Sequence, residues 1–167
     1  MSTTYISFDI ETDGPCPGVN SMLSIGAVAI ADGVEQDCFE GVLHPLPHAT
    51  PDGSTTDWWT RQSDAAFIAA RRGAEHPRAV MEDWARWTSQ WRHSVLAAYP
   101  AGFDFTFLRY YLCYFGYKAP LSCLDMKTLA WALLPEYPNL HDVAKRTMPD
   151  EWTEAHATTP HNALDDA

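Results

Sequence analysis

Over Tyr5–Ile10 apolar and polar side chains alternate, with Ile6, Phe8 and Ile10 on one face of an extended chain and Tyr5, Ser7 and Asp9 on the other. A period of two marks a strand with one face buried. Gly14, Pro15, Pro17 and Gly18 then form a turn-rich break. Met22–Ile30 (MLSIGAVAI) is apolar almost throughout, as a strand covered on both faces would be. Asp32-Gly33 is a strong hairpin signal leading into a third strand near Asp37–Leu43. Strands joined this way make an antiparallel meander. Pro45, Pro47 and Pro51 mark the loop that leaves it.

The period then lengthens. Thr56–Arg72 carries Trp58, Trp59, Ala66, Ala69 and Ala70 at helical spacing and is read as one helix. A second helix begins after Pro77, with Val80, Trp84, Trp87 and Trp91 along one stripe, a pattern read as internal or dimer packing rather than base stacking. Val95–Tyr99 is a short apolar strand, expected to run parallel to the first. It passes through Pro100-Ala101-Gly102 into a helix over Phe103–Phe115. Leu121–Leu124 would add a fifth strand, Asp125–Leu134 a helix, and Leu140–Met148 a further one. The expected fold class is α/β: a mixed five-stranded sheet, an antiparallel meander plus parallel strands, flanked by helices. Neither a repeat nor an internal boundary is visible, so residues 1–167 are expected to form a single domain.

Composition narrows the functions. A hydrophobic content of 46% is enough for a packed core, while the net charge is −11. Proteins that coat duplexes present a basic face, because phosphate neutralisation dominates their affinity. The acidic balance excludes that class. It leaves room for an enzyme that grips one nucleotide end through divalent cations, with short oligomers favoured over long ones. The four cysteines form no C-x-x-C pair and are expected to be reduced. With no leader-like or membrane-spanning run, the expected location is cytoplasmic.

Three clusters carry candidate chemistry. Asp9 and Glu11, two apart on a strand, point to one face, and like charges there call for a compensating cation. Taken alone, the pair merely ends a strand. Asp104, in AGFDFTFL, sits where a strand turns into a helix, at the sheet edge where α/β folds place their sites, although Asp is also a common helix cap. His161 and Asp166, in PHNALDDA, lie five apart and converge only if His161 stays in the loop before a helix that Asn162 caps.

Taken together, FDIETDG, GFDFTFL and HNALDDA resemble, in order and internal spacing, the three motifs of the DEDDh 3′→5′ exonuclease family. That family includes proofreading exonuclease subunits, RNase T and oligoribonuclease, on an RNase H-like fold. The resemblance covers essentially the whole chain. It implies two divalent cations, Mg²⁺ or Mn²⁺. Asp9, Glu11 and Asp166 would hold the first, with Asp9 bridging to the second, and Asp104 would bind the second through water. His161 would be the general base for an attacking water, a task suited to the ordinary imidazole pKa. Thr12, next to Glu11, is a candidate contact to the terminal nucleotide. The products would be nucleoside 5′-monophosphates released from single-stranded 3′ ends.

Two departures stand out. Many family members carry His-Asn shortly before the second motif, where this chain has Tyr99-Pro100-Ala101-Gly102. Asp166 is also the penultimate residue, and a metal ligand on a fraying end binds poorly, so the expectation is a chain continuing past Ala167. Since no polymerase-docking segment follows the third motif, a stand-alone nuclease is expected, with RNA slightly favoured over DNA as substrate. The alternatives are a DNA 3′-end processing or proofreading exonuclease, and a catalytically inactive RNase H-like module that binds protein. An aspartyl-phosphate phosphatase fits worse, because Glu11 stands where D-x-D would need Asp. A homodimer is possible by analogy. Arg71, Arg72, Arg78 and Arg109 could all meet phosphates, and for the first three a solvated helix face is the preferred reading. Of the remaining histidines, only His156 rivals His161, at a spacing that fits the motif less well.

Overall fold

The computed structural model describes residues 2–133 and 162–167. Its five strands are β1 (Thr4–Thr12), β2 (Met22–Ala31), β3 (Val34–Val42), β4 (Ser94–Ala98) and β5 (Leu124–Asp125). They form one mixed sheet in the order β3-β2-β1-β4-β5. The meander β1-β2-β3 is antiparallel, whereas β4 lies parallel to β1, and β5 parallel to β4. The expected five-stranded α/β sheet is therefore present. The β2–β3 hairpin turns on Asp32 and Gly33, with φ of 52° and 74°. Positive φ at both central residues gives the turn whose twist matches the strands it joins. β3 consequently starts directly after the turn, at Val34, earlier than its mixed polar sequence suggests. β5 is shorter than the four residues expected.

The helices are α1 (Gly53–Trp59), α2 (Asp64–Ala69), α3 (Pro77–Ser89), α4 (Ala101–Tyr114), α5 (Met126–Leu133) and α6 (Ala163–Asp166). The single helix expected over Thr56–Arg72 is two helices. The Ser63 side chain accepts from Ala66 N at 3.2 Å and caps a new start. Local capping interrupts an apolar spacing that would run on. α4 begins earlier than expected, with Pro100 at its N-cap. Asp104 therefore lies one turn inside the helix and is not its cap. The helix expected at Leu140–Met148, together with His141, His156 and His161, lies outside the described residues.

Ile6, Phe8 and Ile10 face α3 and α4 and form the main core with Trp84, Phe107 and Leu108. Trp84 stands edge-on to Phe8 at 5.9 Å and to Phe39 at 5.3 Å, with Trp87 and then Trp91 continuing the series. The tryptophan stripe is thus internal packing. The Tyr111 hydroxyl accepts from Met22 N at 2.8 Å and ties α4 to the start of β2. With one sheet face closed in this way, Asp9 and Glu11 project from the other, where α6 lies. Among the described residues no helix is long and apolar enough to cross a membrane.

Candidate metal and nucleic-acid site

Asp9 pairs with Gly26 and Glu11 with Ser24, so the two acids share a sheet face with the smallest side chain of β2. Gly26 is required there. A Cβ at this position would fall on the backbone of Ala163 and Leu164, so glycine lets α6 rest directly on the sheet. Asn162 sets the start of α6: its Oδ1 accepts from Leu164 N at 3.0 Å, and its carbonyl accepts from Asp166 N at 3.0 Å. Ala163 is buried against the strands. The result brings Asp166 to the strand acids, with one carboxylate oxygen each from Asp9, Glu11 and Asp166 within 4.8 Å of one another.

Asp104 comes from α4 and is 2% exposed, and its Oδ2 has no hydrogen-bond partner among the described residues. Burial pushes its carboxyl up to about 7, with the backbone N–H groups of Asp104 and Ile10 opposing the rise and Asp125 adding to it. Burial also drives Asp9 up to about 9, reinforced by Asp104, Glu11 and Asp166. Glu11 rises to about 8 from burial and from Asp166 and Asp104, with Arg71 drawing it back. Burial is the first cause in all three, and the Asp104 charge adds to the rise of both strand acids when no cation offsets it. The clustered oxygens of Asp9, Glu11 and Asp166, with the unpartnered Asp104 Oδ2 on α4, are the kind of donor set a hard divalent ion takes. The residues present fit such a group.

The neighbouring loop and helices shape the approach. Asp13 Oδ1 accepts from Ser21 N at 2.5 Å, and its carbonyl accepts from Asp52 N at 2.8 Å. Asp52 in turn caps α1, accepting from Thr55 N at 2.8 Å. At the other end of α1, the buried Trp59 indole donates to the Thr12 carbonyl at 2.9 Å. Thr12, the expected substrate contact, is thus a buried end of β1 pinned by its own backbone. Arg71 corrects an expectation. It follows α2 and folds back over Phe67 and Trp59 instead of lying on a solvated helix face. The spacing of Phe67 and Arg71, four apart, was the available sign, as Gly26 inside an apolar strand was for the close approach of α6. Arg78 and Arg109 each donate to a backbone carbonyl, of Phe115 and Pro120 respectively. His161 lies outside the described residues.

Residues 4–167 match the model of the 3′-5′ exoribonuclease Rv2179c-like domain. The chain is 25% identical over 180 residues to the 3′-5′ DNA exonuclease Cap18 of Escherichia coli, covering 98% of this chain and 85% of that protein. It is 31% identical over 142 residues to the PolC-type DNA polymerase III of Oceanobacillus iheyensis, covering 81% of this chain. It spans only 9% of that polymerase, and 7% of the PolC-type polymerase of Thermotoga petrophila. Among solved structures it superposes on E. coli exonuclease I bound to zinc and single-stranded DNA with a TM-score of 0.75 at 15% identity, over 99% of this chain and 38% of that one. The chain belongs to the 3′-5′ exoribonuclease Rv2179c-like family, 3′-5′ exonucleases on an RNase H-like fold.

Proposed function

We propose that the chain is a metal-dependent 3′→5′ exonuclease that removes nucleoside 5′-monophosphates from single-stranded ends, RNA before DNA. The observation that carries this reading is the convergence of Asp9, Glu11 and Asp166 oxygens within 4.8 Å beside the buried, unpartnered Asp104 Oδ2. Asp9, Glu11 and Asp166 would hold one Mg²⁺ or Mn²⁺, and Asp9 and Asp104 a second. Such ions activate water and stabilise the charge that develops on the attacking and leaving oxygens.

The chain's own residues do the rest. The carboxylates, held by the sheet and α4, place the terminal phosphodiester against the strand end. Thr12, fixed by Trp59, borders the terminal nucleotide. His161 takes the proton of the attacking water, and the leaving strand keeps its new 3′ hydroxyl. RNA is favoured because the matching family model is that of an exoribonuclease domain. A second reading, DNA 3′ ends, has its own support in Cap18, a DNA exonuclease that the chain covers to 85% of its length.

The test uses 5′-labelled RNA and DNA of one sequence with Mg²⁺, Mn²⁺ or chelator. A ladder shortening from the 3′ end, abolished by chelator and by His161→Ala, is the expected result, with RNA shortened faster. Faster DNA loss selects the second reading. Intact polymers in both metals overturn the activity.

A further inference from the structure

Arg71 stands where α1 and α2 meet the acidic end of the sheet, and the reaction outlined above gives it no task. Its guanidinium lies 3.9 Å from the Phe67 ring centre and 4.8 Å from that of Trp59. Trp59 is buried and bonded to the Thr12 carbonyl, so the ring that carries Arg71 is fixed beside the strand holding Glu11. Of the five donors a guanidinium offers, one is used among the described residues, from Nη1 to the Phe67 carbonyl at 3.3 Å. No carboxylate among the described residues pairs with Arg71 within ion-pair distance. Its charge still reaches Glu11 and Asp13, whose carboxyls it draws down. A cavity of about 480 Å³ opens beside it over Leu23 and Leu43, edged by His44, Pro45 and Gly73.

A stacked guanidinium with most of its fork free of partners among the described residues is suited to a planar or tetrahedral anion. The approaching anion here is the polynucleotide backbone, and the chain carries a net charge of −11. A strand nearing four carboxylates therefore needs local positive charge to hold it. We propose that Arg71 binds a backbone phosphate of the single strand, anchoring the substrate outside the carboxylate cluster, with the adjacent cavity receiving the nucleotide attached to that phosphate. The inference rests on the proposed exonuclease reading for the identity of the ligand.

The test measures binding of fluorescent oligouridylate and oligothymidylate, carrying uncleavable 3′-terminal phosphorothioate linkages, by anisotropy over a range of salt concentrations. Arg71→Met should weaken binding about tenfold at low salt and reduce the slope of log K against log salt by about 0.7, the share of one phosphate in a single strand. Calorimetric Mn²⁺ affinity without oligonucleotide should stay the same or tighten, because a cation beside Glu11 has been removed. Unchanged affinity and slope overturn the proposal. So does a fall in Mn²⁺ affinity that accounts for the whole loss, since Arg71 would then serve the carboxylates alone.

Wild-type protein supplies an independent reading. Phenylglyoxal modification mapped by mass spectrometry should be slowed at Arg71 by bound strand while Arg72, exposed beside it, reacts as before. Equal rates at Arg71 with and without the strand overturn the proposal even where Arg71→Met does not fold. A wild-type chain that binds strands and never cuts them overturns the exonuclease reading and leaves the phosphate site standing. A chain that cuts, with Arg71→Met binding as wild type does, removes the Arg71 site alone.

Discussion

The Trp59 indole N–H donates to the Thr12 carbonyl at 2.9 Å, both groups buried, and so joins α1 to the strand end that carries Glu11. Leaving that carbonyl without its donor costs the desolvation of a buried acceptor, about 1–3 kcal/mol. Trp59→Phe should lower the thermal midpoint accordingly and reduce turnover, because Thr12 and Arg71 both take their positions from this ring. Calorimetry and steady-state rates check both. A variant as stable and as active as the parent would show that α1 is only packed against the site.

Gly26→Ala tests the seat of α6. The added methyl lands on the backbone of Ala163 and Leu164, which have no side-chain freedom with which to yield. The helix must lift, taking Asp166 away from Asp9 and Glu11. Metal affinity should fall by about 10–100-fold, as it does when the support of a ligand is disturbed, while the sheet keeps its circular dichroism. Mn²⁺ titration at wild-type strength would mean that α6 does not position Asp166.

Asp9→Asn should have opposite effects on stability with and without metal. Burial and the neighbouring charges of Asp104, Glu11 and Asp166 raise the Asp9 carboxyl to about 9, so its ionised form destabilises the metal-free chain. At pH 8 the folded chain must instead hold a proton on Asp9 that the unfolded chain does not, and a neutral Asn escapes that cost. The midpoint in chelator should therefore rise by the equivalent of about 1 kcal/mol or more, roughly one pKa unit's worth. The same variant should gain little from added Mg²⁺ and lose activity. A lower midpoint in chelator would indicate that Asp9 is structurally required as a carboxylate.

The pH dependence has a definite sign. Asp9, Glu11 and Asp104 titrate at about 9, 8 and 7 in the folded chain, above the ordinary carboxylate range. Each therefore binds its proton more tightly folded than unfolded. Their contribution to metal-free stability is complete below the unfolded values near 4 and is lost as pH rises through 7 to 9. A cation must displace those protons to bind. The rise in midpoint produced by Mg²⁺ or Mn²⁺ should thus grow from pH 6 to pH 9, and chelator should abolish it. A metal effect that shrinks with rising pH would place the ion elsewhere.

Much of the fold follows from local patterns. The alternation around Ile6, Phe8 and Ile10 reports a strand with one buried face, and Asp32-Gly33 reports a hairpin, since each depends on residues adjacent in the chain. Patterns mislead where a local competitor intervenes. The apolar spacing from Trp58 to Ala70 suggests one helix, but the Ser63 hydroxyl captures Ala66 N and restarts it. Asp104 resembles a cap by position, and the earlier start of α4 at Ala101 places it inside the helix, where its charge acts on Asp9 and Glu11.

Residue order alone specifies which acids are available: two on one strand face, a third after a strand-to-helix turn and a fourth at the last motif. Their order and spacing were enough to indicate the family, because spacing within a strand or turn maps directly onto geometry. That Asp166 reaches Asp9 and Glu11 follows from packing, through the gap Gly26 leaves for α6. Packing alone turns Arg71 back over Phe67 and Trp59 beside Glu11. Both arrangements join positions distant in sequence, and they are set by which backbones can approach and which rings are already fixed. Each leaves only a local sign, the spacing of Phe67 and Arg71 and the glycine in an apolar strand, and neither sign names the distant partner.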